Sequence, residues 1–376
     1  MNSYEQLRVK LWRIVFISIF LCGSLSVILA SCKAKPINKG DEFALHRAII
    51  EGDTQEAIKL IDSGADVNRK DQWETTPLER AAELGNDKVI NRLIKAGANV
   101  NTRQWAGETP LFSAAEYGHN AAVKELIKDG ADVNEPDYLG ATPLHAAVSN
   151  SETEAMRLLL KAGAHVDAKD RFGQAPLHIA AKENQIEAIK ILIDAKADVN
   201  VARPGLLETP LHYAASHGNA GAAEQLIHAK ADIKALDSIG RSPTHYAAQK
   251  DHAKVLDVLA RNNADLNLSD RLGDTPLHVA AEGGQNRAIA NLISYDVVID
   301  PTNLQQDTPL IMASRMRLKD TAKILMDHGA NPNHKNLKGE TALSIAEQSG
   351  DQELIDVLLK QQKLPLWQRI LKFFSL

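Results

Sequence analysis

The chain has 376 residues, with 43 Lys and Arg against 48 Asp and Glu, giving a formal charge of -5 and a pI near 6.2. Such a balance excludes a general electrostatic grip on nucleic-acid phosphates as its main business. The only two cysteines, Cys22 and Cys32, lie near the start, so no disulfide staples the remainder of the chain and stability must come from packing.

At the N-terminus Arg8, Lys10 and Arg13 precede an apolar run from Ile14 to Ala30, and then comes Leu29-Ala30-Ser31-Cys32. A charged stretch, an apolar stretch and small residues before a cut describe a secretory signal. The Leu-Ala-Ser-Cys ending resembles the lipobox of bacterial lipoproteins. That resemblance implies that Cys32 is acylated with palmitate-type chains and becomes the new N-terminus. Lys33 in place of aspartate after the cysteine implies an address in the cell envelope at the outer membrane of a Gram-negative bacterium. The competing reading is an uncleaved anchor, since 17 apolar residues sit at the lower edge of what spans a bilayer. Residues 1–31 are thus read as a signal peptide and 32–41 as a lipidated linker. Lys33, Lys35 and Lys39 make that linker either a tether to anionic lipid or a solvated spacer. Cleavage would take the charge from -5 to -7 by removing Arg8, Lys10, Arg13 and Glu5.

From residue 42 to residue 362 one phrase recurs, written most fully as Thr142-Pro143-Leu144-His145. Copies begin at Thr76, Thr109, Thr142, Ala175, Thr209, Ser242, Thr275, Thr308 and Thr341, a spacing of 33 broken by a single 34; Phe43 opens a weaker copy. Ten repeats of this period and wording resemble the ankyrin repeat. The resemblance implies an all-α solenoid of stacked helix-turn-helix units with β-hairpin fingers between them. Each unit has too little core to fold alone and is stabilised by its neighbours.

The fifth repeat shows the grammar. Pro176 suits the first helical position, and threonine or serine before it serves as N-cap in most copies. Leu177, Ala180 and Ala181 face inward on a first helix, Asn184-Gln185 turns the chain, and Ile186, Ile189, Leu192 and Ile193 mark the apolar stripe of a second helix. Gly64, Gly97, Gly130, Gly163 and Gly329 end second helices where a left-handed residue is wanted, whereas Lys196, Lys230, Asn263 and Asp296 hold that place in the fifth to eighth repeats. In addition, Val297-Val298-Ile299-Asp300-Pro301 departs from the usual wording, and Gln306 replaces a finger glycine. The stack is therefore expected to open first near the eighth and ninth repeats. The extra residue falls in the finger Val201–Glu208, either as a binding insertion or as a tolerated change of length.

No glycine-rich phosphate loop, Gly-x-Ser-x-Gly, His-Glu-x-x-His or cysteine nucleophile is present, so no catalytic residues, metal ligands, cofactor or small-molecule substrate are assigned. The phrase histidines His46, His145, His178, His212, His245 and His278 belong to layers about 8–10 Å apart and cannot share one ion. The resemblance implies instead that they hydrogen-bond neighbouring backbone. Glu83, Glu116 and Glu282 read as exposed helix positions.

The same resemblance implies a non-enzymatic protein–protein interaction module, a scaffold or an inhibitor, that binds a protein partner on its concave face. Contact positions of such repeats fall here on Trp73, Trp105, Tyr138 and Phe172 in the fingers and on Glu83, Leu84, Glu116 and Tyr117 on helices. Aromatic anchors often dominate interfaces, although these rings could equally pack along the finger row. Arg171, Arg203, Arg241 and Arg271 form either a basic stripe or ordinary charge balanced by Asp170, Asp237 and Asp270. Alternatives from other classes are an envelope enzyme or metal binder with an unrecognised site, and a host-directed effector. The tail, 363–376, carries Leu366, Trp367, Ile370, Leu371 and Phe374 on one helical face and reads either as a cap on the last repeat or as a membrane-interface helix.

Overall fold

Wherever threonine or serine precedes proline in the phrase, the backbone is extended at the hydroxyl residue and turns helical at the proline, whose missing N–H is harmless there. This start recurs through a computed structural model that describes residues 42–362. The signal peptide, Cys32, the basic linker and the tail therefore lie outside the described residues.

Among the described residues there are twenty helices in ten pairs. The first members are α1 (Ala44–Ile50), α3 (Pro77–Glu83), α5 (Pro110–Glu116), α7 (Pro143–Ser149), α9 (Pro176–Lys182), α11 (Pro210–Ser216), α13 (Pro243–Gln249), α15 (Pro276–Gly283), α17 (Pro309–Arg315) and α19 (Ala342–Ser349). Their partners are α2 (Thr54–Asp62), α4 (Asp87–Lys95), α6 (Asn120–Lys128), α8 (Thr153–Lys161), α10 (Ile186–Asp194), α12 (Ala220–His228), α14 (Ala253–Arg261), α16 (Asn286–Ser294), α18 (Lys319–Asp327) and α20 (Gln352–Gln362). First helices pack on first helices and second on second, each layer touching the next. The result is an all-α solenoid with one continuous core running from Leu45 to Leu358. No helix in the described residues is long and apolar enough to cross a membrane.

Small residues set the spacing. Ala81, Ala114, Ala147, Ala180, Ala214 and Ala247 are wholly buried between neighbouring first helices, where a larger side chain would overpack the stack. In α10 Ala188, Ile189, Ile191 and Leu192 are buried, and Ile186 and Ile193 of the expected stripe are half-buried and packed against the same core.

Fingers differ from the expected β-hairpins: the described residues contain no strand. Seven of the nine fingers are closed instead by an aspartate or asparagine five residues before the phrase, and Gln104 and Arg203 stand at the corresponding place in the other two. Asp137 Oδ1 accepts the N–H groups of Leu139 and Ala141, both at 2.8 Å, and Asp71, Asp170, Asp237, Asp270, Asn303 and Asn336 repeat the arrangement. A side chain that satisfies those donors leaves no ladder for a strand pair. Fingers are joined tip to tip by single backbone bonds, such as Tyr138 N–H to Ala106 O at 3.1 Å and Leu304 N–H to Leu272 O at 3.0 Å. At the finger with the extra residue, the Arg203 guanidinium donates to Phe172 O at 3.0 Å.

Candidate functional site: the finger and first-helix side

Fingers and first helices share one side of the molecule. Arg80 of α3 reaches Asp71 of its finger, Arg315 of α17 holds Asp307 with both terminal nitrogens, and the Tyr246 hydroxyl of α13 lies 2.8 Å from Asp237 and 2.9 Å from Glu208. Layer is tied to layer beneath this surface by the phrase histidines. In His145, Nδ1 accepts the Thr142 N–H at 3.1 Å while Nε2 donates to Gln174 O in the next finger at 3.1 Å. His178, His212, His245 and His278 do the same, and His46 donates to Thr75 O. This bears out the backbone role expected of them: in these five rings both nitrogens are engaged on backbone. Burial holds all six below the usual imidazole range, His178 at about 4. Neutral imidazole is the form that can accept on one nitrogen and donate on the other.

The aromatic fingertips separate into two kinds. Trp105 projects most, at 79% exposed, and Trp73 and Phe172 are exposed as well. Tyr138 is exposed at its edge but lies flat on the preceding finger. A Cβ built on Gly107 would come within 2.7 Å of its ring, and the Arg103 guanidinium sits 5.0 Å from its centroid. Arg103 is in turn ion-paired to Glu135. Tyr138 thus contributes to finger packing, whereas Trp105 is open to a ligand.

On the helix ends, Leu84 and Tyr117 are half exposed, in adjacent repeats next to the Trp73 and Trp105 fingers. Glu83 and Glu116 are not exposed positions as expected: both are half-buried, and the Glu83 carbonyl lies 3.0 Å from His119 Nε2 of the next repeat. Burial raises the Glu83 carboxyl above its usual range, and Arg80 pairs with it at 2.6 Å. Glu282, by contrast, is exposed.

The basic stripe is interrupted. Arg203 is spent on Glu208 at 2.7 Å, on Phe172 O and over the Tyr213 ring, and Arg241 pairs with Asp270 at 3.3 Å. Only Arg171 and Arg271, three fingers apart, present exposed side chains from that set. Asp237 and Asp270 are buried in their own turns and do not form a solvated counter-row.

Sequence reasoning missed the Tyr213–Tyr246 pair on the same side. Burial pushes both phenols up, Tyr213 to about 12. Their signal is tyrosine directly after the phrase in two consecutive repeats. Among the described residues no group of three or more His, Cys, Asp and Glu is placed to hold a metal ion.

The family described as Ankyrin repeats (3 copies) matches the chain in overlapping windows, 20–104, 45–137, 81–170, 135–203, 177–270, 211–302, 244–336 and 284–366. Among solved structures, the human ASB11 ankyrin repeat domain is similar at 27% sequence identity and a TM-score of 0.55, over 60% of this chain and 99% of that domain. No curated protein matches.

Proposed function

Because the chain belongs to the ankyrin-repeat family, whose repeats serve as protein–protein interaction modules, we propose that it binds a protein partner on its concave side without catalysis. The contact would centre on the second and third repeats, with the chain anchored in the cell envelope through acylated Cys32. One observation carries the choice of surface. Trp105, Trp73, Leu84 and Tyr117 are large apolar side chains left exposed in two consecutive repeats, on the side shared by fingers and first helices. Exposed apolar clusters of this kind mark interaction sites, and tryptophan and tyrosine are the residues that most often dominate them. The Leu-Ala-Ser-Cys signal supports the address, and the partner would then be an envelope protein held in place or held inactive.

Replacing Trp105 and Trp73 with alanine tests the surface. A partner captured on the mature chain from its own envelope is expected to bind the double variant at least 30-fold more weakly, the scale of a hot spot worth about 2 kcal/mol. Thermal melting is expected to stay unchanged for Trp105→Ala alone, because that ring is 79% exposed, whereas Trp73 is more than half covered. Unchanged affinity would overturn the proposed surface, and a lowered melting temperature would assign the rings to packing.

A further inference from the structure

In the second repeat the phrase histidine is replaced by Glu79, which is 0% exposed. Its Oε2 does half of the histidine's work, accepting the Thr76 N–H at 2.6 Å, while Thr76 Oγ1 caps the Glu79 N–H at 3.3 Å. Its other oxygen, Oε1, is buried and has no hydrogen-bond partner. In the histidine repeats, the second ring nitrogen donates to a backbone carbonyl 29 residues on, or 30 across the longer finger. Counting 29 from Glu79 gives Glu108, whose carbonyl also accepts the Gln104 N–H at 3.0 Å. A carboxylate has nothing to give a carbonyl; a carboxylic acid has one O–H.

We propose that Glu79 is held as an uncharged carboxylic acid whose proton serves the Glu108 carbonyl, and that losing this proton to water unlocks the junction between the second and third repeats. Since Trp73, Leu84, Trp105 and Tyr117 straddle that junction, partner binding is gated by the same proton. This last clause rests on the proposed function; the junction itself does not.

The charged surroundings favour the acid. Burial raises the Glu79 carboxyl to about 7, against the opposing influence of the Thr76 N–H, the nearby Thr76 and Thr102 hydroxyls and the charge of Lys70. Lys70 is engaged elsewhere, on Glu74 and on Arg103 O, each at 3.1 Å. On its own helix Arg80 is committed to Asp71 and Glu83. From α1, packed on one side, come His46, kept neutral by burial and bonded to Thr75 O, and the exposed Arg47. The neighbouring α4 carries Asp87 and Lys88, both exposed, and α5 on the other side carries the half-buried Glu116. The adjoining finger adds Arg103, paired to Glu135, and the buried Glu108, which Gln104 contacts. No cation in this set is committed to an ionised Glu79.

A carboxyl whose folded pKa lies above its unfolded value loses stabilising effect as pH rises from about 4.5 to about 7, and above that the closed junction is itself ionised. The test uses the full chain with its glutamate side chains carrying a 13C-labelled carboxyl, beside Glu79→Gln and Glu79→His. In the wild type the Glu79 carboxyl carbon is expected to titrate near pH 7. The opening constant of Thr109–Ala115 amides, corrected for intrinsic exchange, is expected to rise about fivefold between pH 6 and 7 relative to Glu79→Gln. Glu79→Gln keeps both an acceptor and a donor and removes the rise, whereas Glu79→His makes the junction open towards acid. A carboxyl titrating near 4.5, or equal opening in wild type and Glu79→Gln, overturns the proposal. If the junction responds and a captured partner's affinity does not, the gating fails while the proton switch stands.

Discussion

Acidification from pH 7 to pH 4 is expected to lower the melting temperature steeply, before most exposed carboxylates are protonated. The cause is the row of neutral imidazoles. Each of the five complete histidine ties needs Nδ1 as acceptor and Nε2 as donor, and protonation turns Nδ1 into a donor facing the N–H of Thr142, Ala175, Thr209, Ser242 or Thr275. Burial opposes the charge as well. Because the folded pKa of each is depressed, its stabilising effect is complete above the unfolded value of 6.5. It is lost as pH falls from there towards the folded value, which for His178 is about 4. For His178 alone that window corresponds to roughly 3 kcal/mol at a conversion of about 1.4 kcal/mol per pH unit. Because His145, His212, His245 and His278 are depressed in the same direction, the effects accumulate along the stack. Circular-dichroism melts at half-unit pH steps measure this. A His178→Gln variant is expected to show a shallower decline, and melts that stay flat from pH 7 to pH 4 would contradict the neutral-imidazole ties.

Amide exchange is expected to begin at the carboxy-terminal end, from the close of the eighth repeat onward, at least 30-fold faster than in the fourth repeat. Asp296, Gln306 and Arg317 all adopt left-handed backbone, with φ of 53°, 56° and 59°. A residue with a Cβ held so costs about 1 kcal/mol, and the fourth repeat has a single such residue, Ser151, with glycine at 140 and 163. Some contacts do hold at that boundary. Between the eighth and ninth repeats the tie survives, as His278 to Asp307 O at 3.0 Å, reinforced by Arg315 on Asp307 and by Asn303 on Asp274. Asp300, in the altered wording, still accepts the Asn331 N–H at 2.9 Å as asparagines do elsewhere. One layer later Ile311 stands where the histidine would be, so the ninth and tenth repeats lack that tie. Three such residues against the fourth repeat's one leave roughly 2 kcal/mol of extra strain, which corresponds to about thirtyfold in exchange. Uniform protection from the fourth to the tenth repeat would refute the strain argument.

Much of this was legible because repeat grammar is local. A hydroxyl, a proline, a leucine and paired alanines at fixed offsets specify one helix start and one buried face, and ten copies make the period unmistakable. Left-handed positions were equally readable: Lys196, Lys230, Asn263, Asp296 and Gln306 all have positive φ where glycine was missing. Six more left-handed residues, Glu74, Ser151, Asn184, Leu207, Asp251 and Arg317, lie in turns whose wording gives no such signal. Contacts between repeats were not legible in the same way, since they depend on where long side chains reach. Arg203 and Arg241 look identical to Arg171 and Arg271 in the sequence, yet they are consumed by Glu208 and Asp270. Tyr138 looks like Trp105, yet it lies down on Gly107. The strandless fingers arise from aspartates whose role appears only once the turn is closed.

Site-specific photocrosslinking in cells that express the full chain tests the binding surface most directly. A photoreactive residue at Tyr117, on the side shared by fingers and first helices, is compared with one at Lys190 on the exposed face of α10. The expected result is one discrete protein adduct from position 117, abolished by excess unlabelled chain, and none from position 190. Equal labelling from both positions, or a discrete adduct from 190 alone, would contradict a partner seated on the finger side.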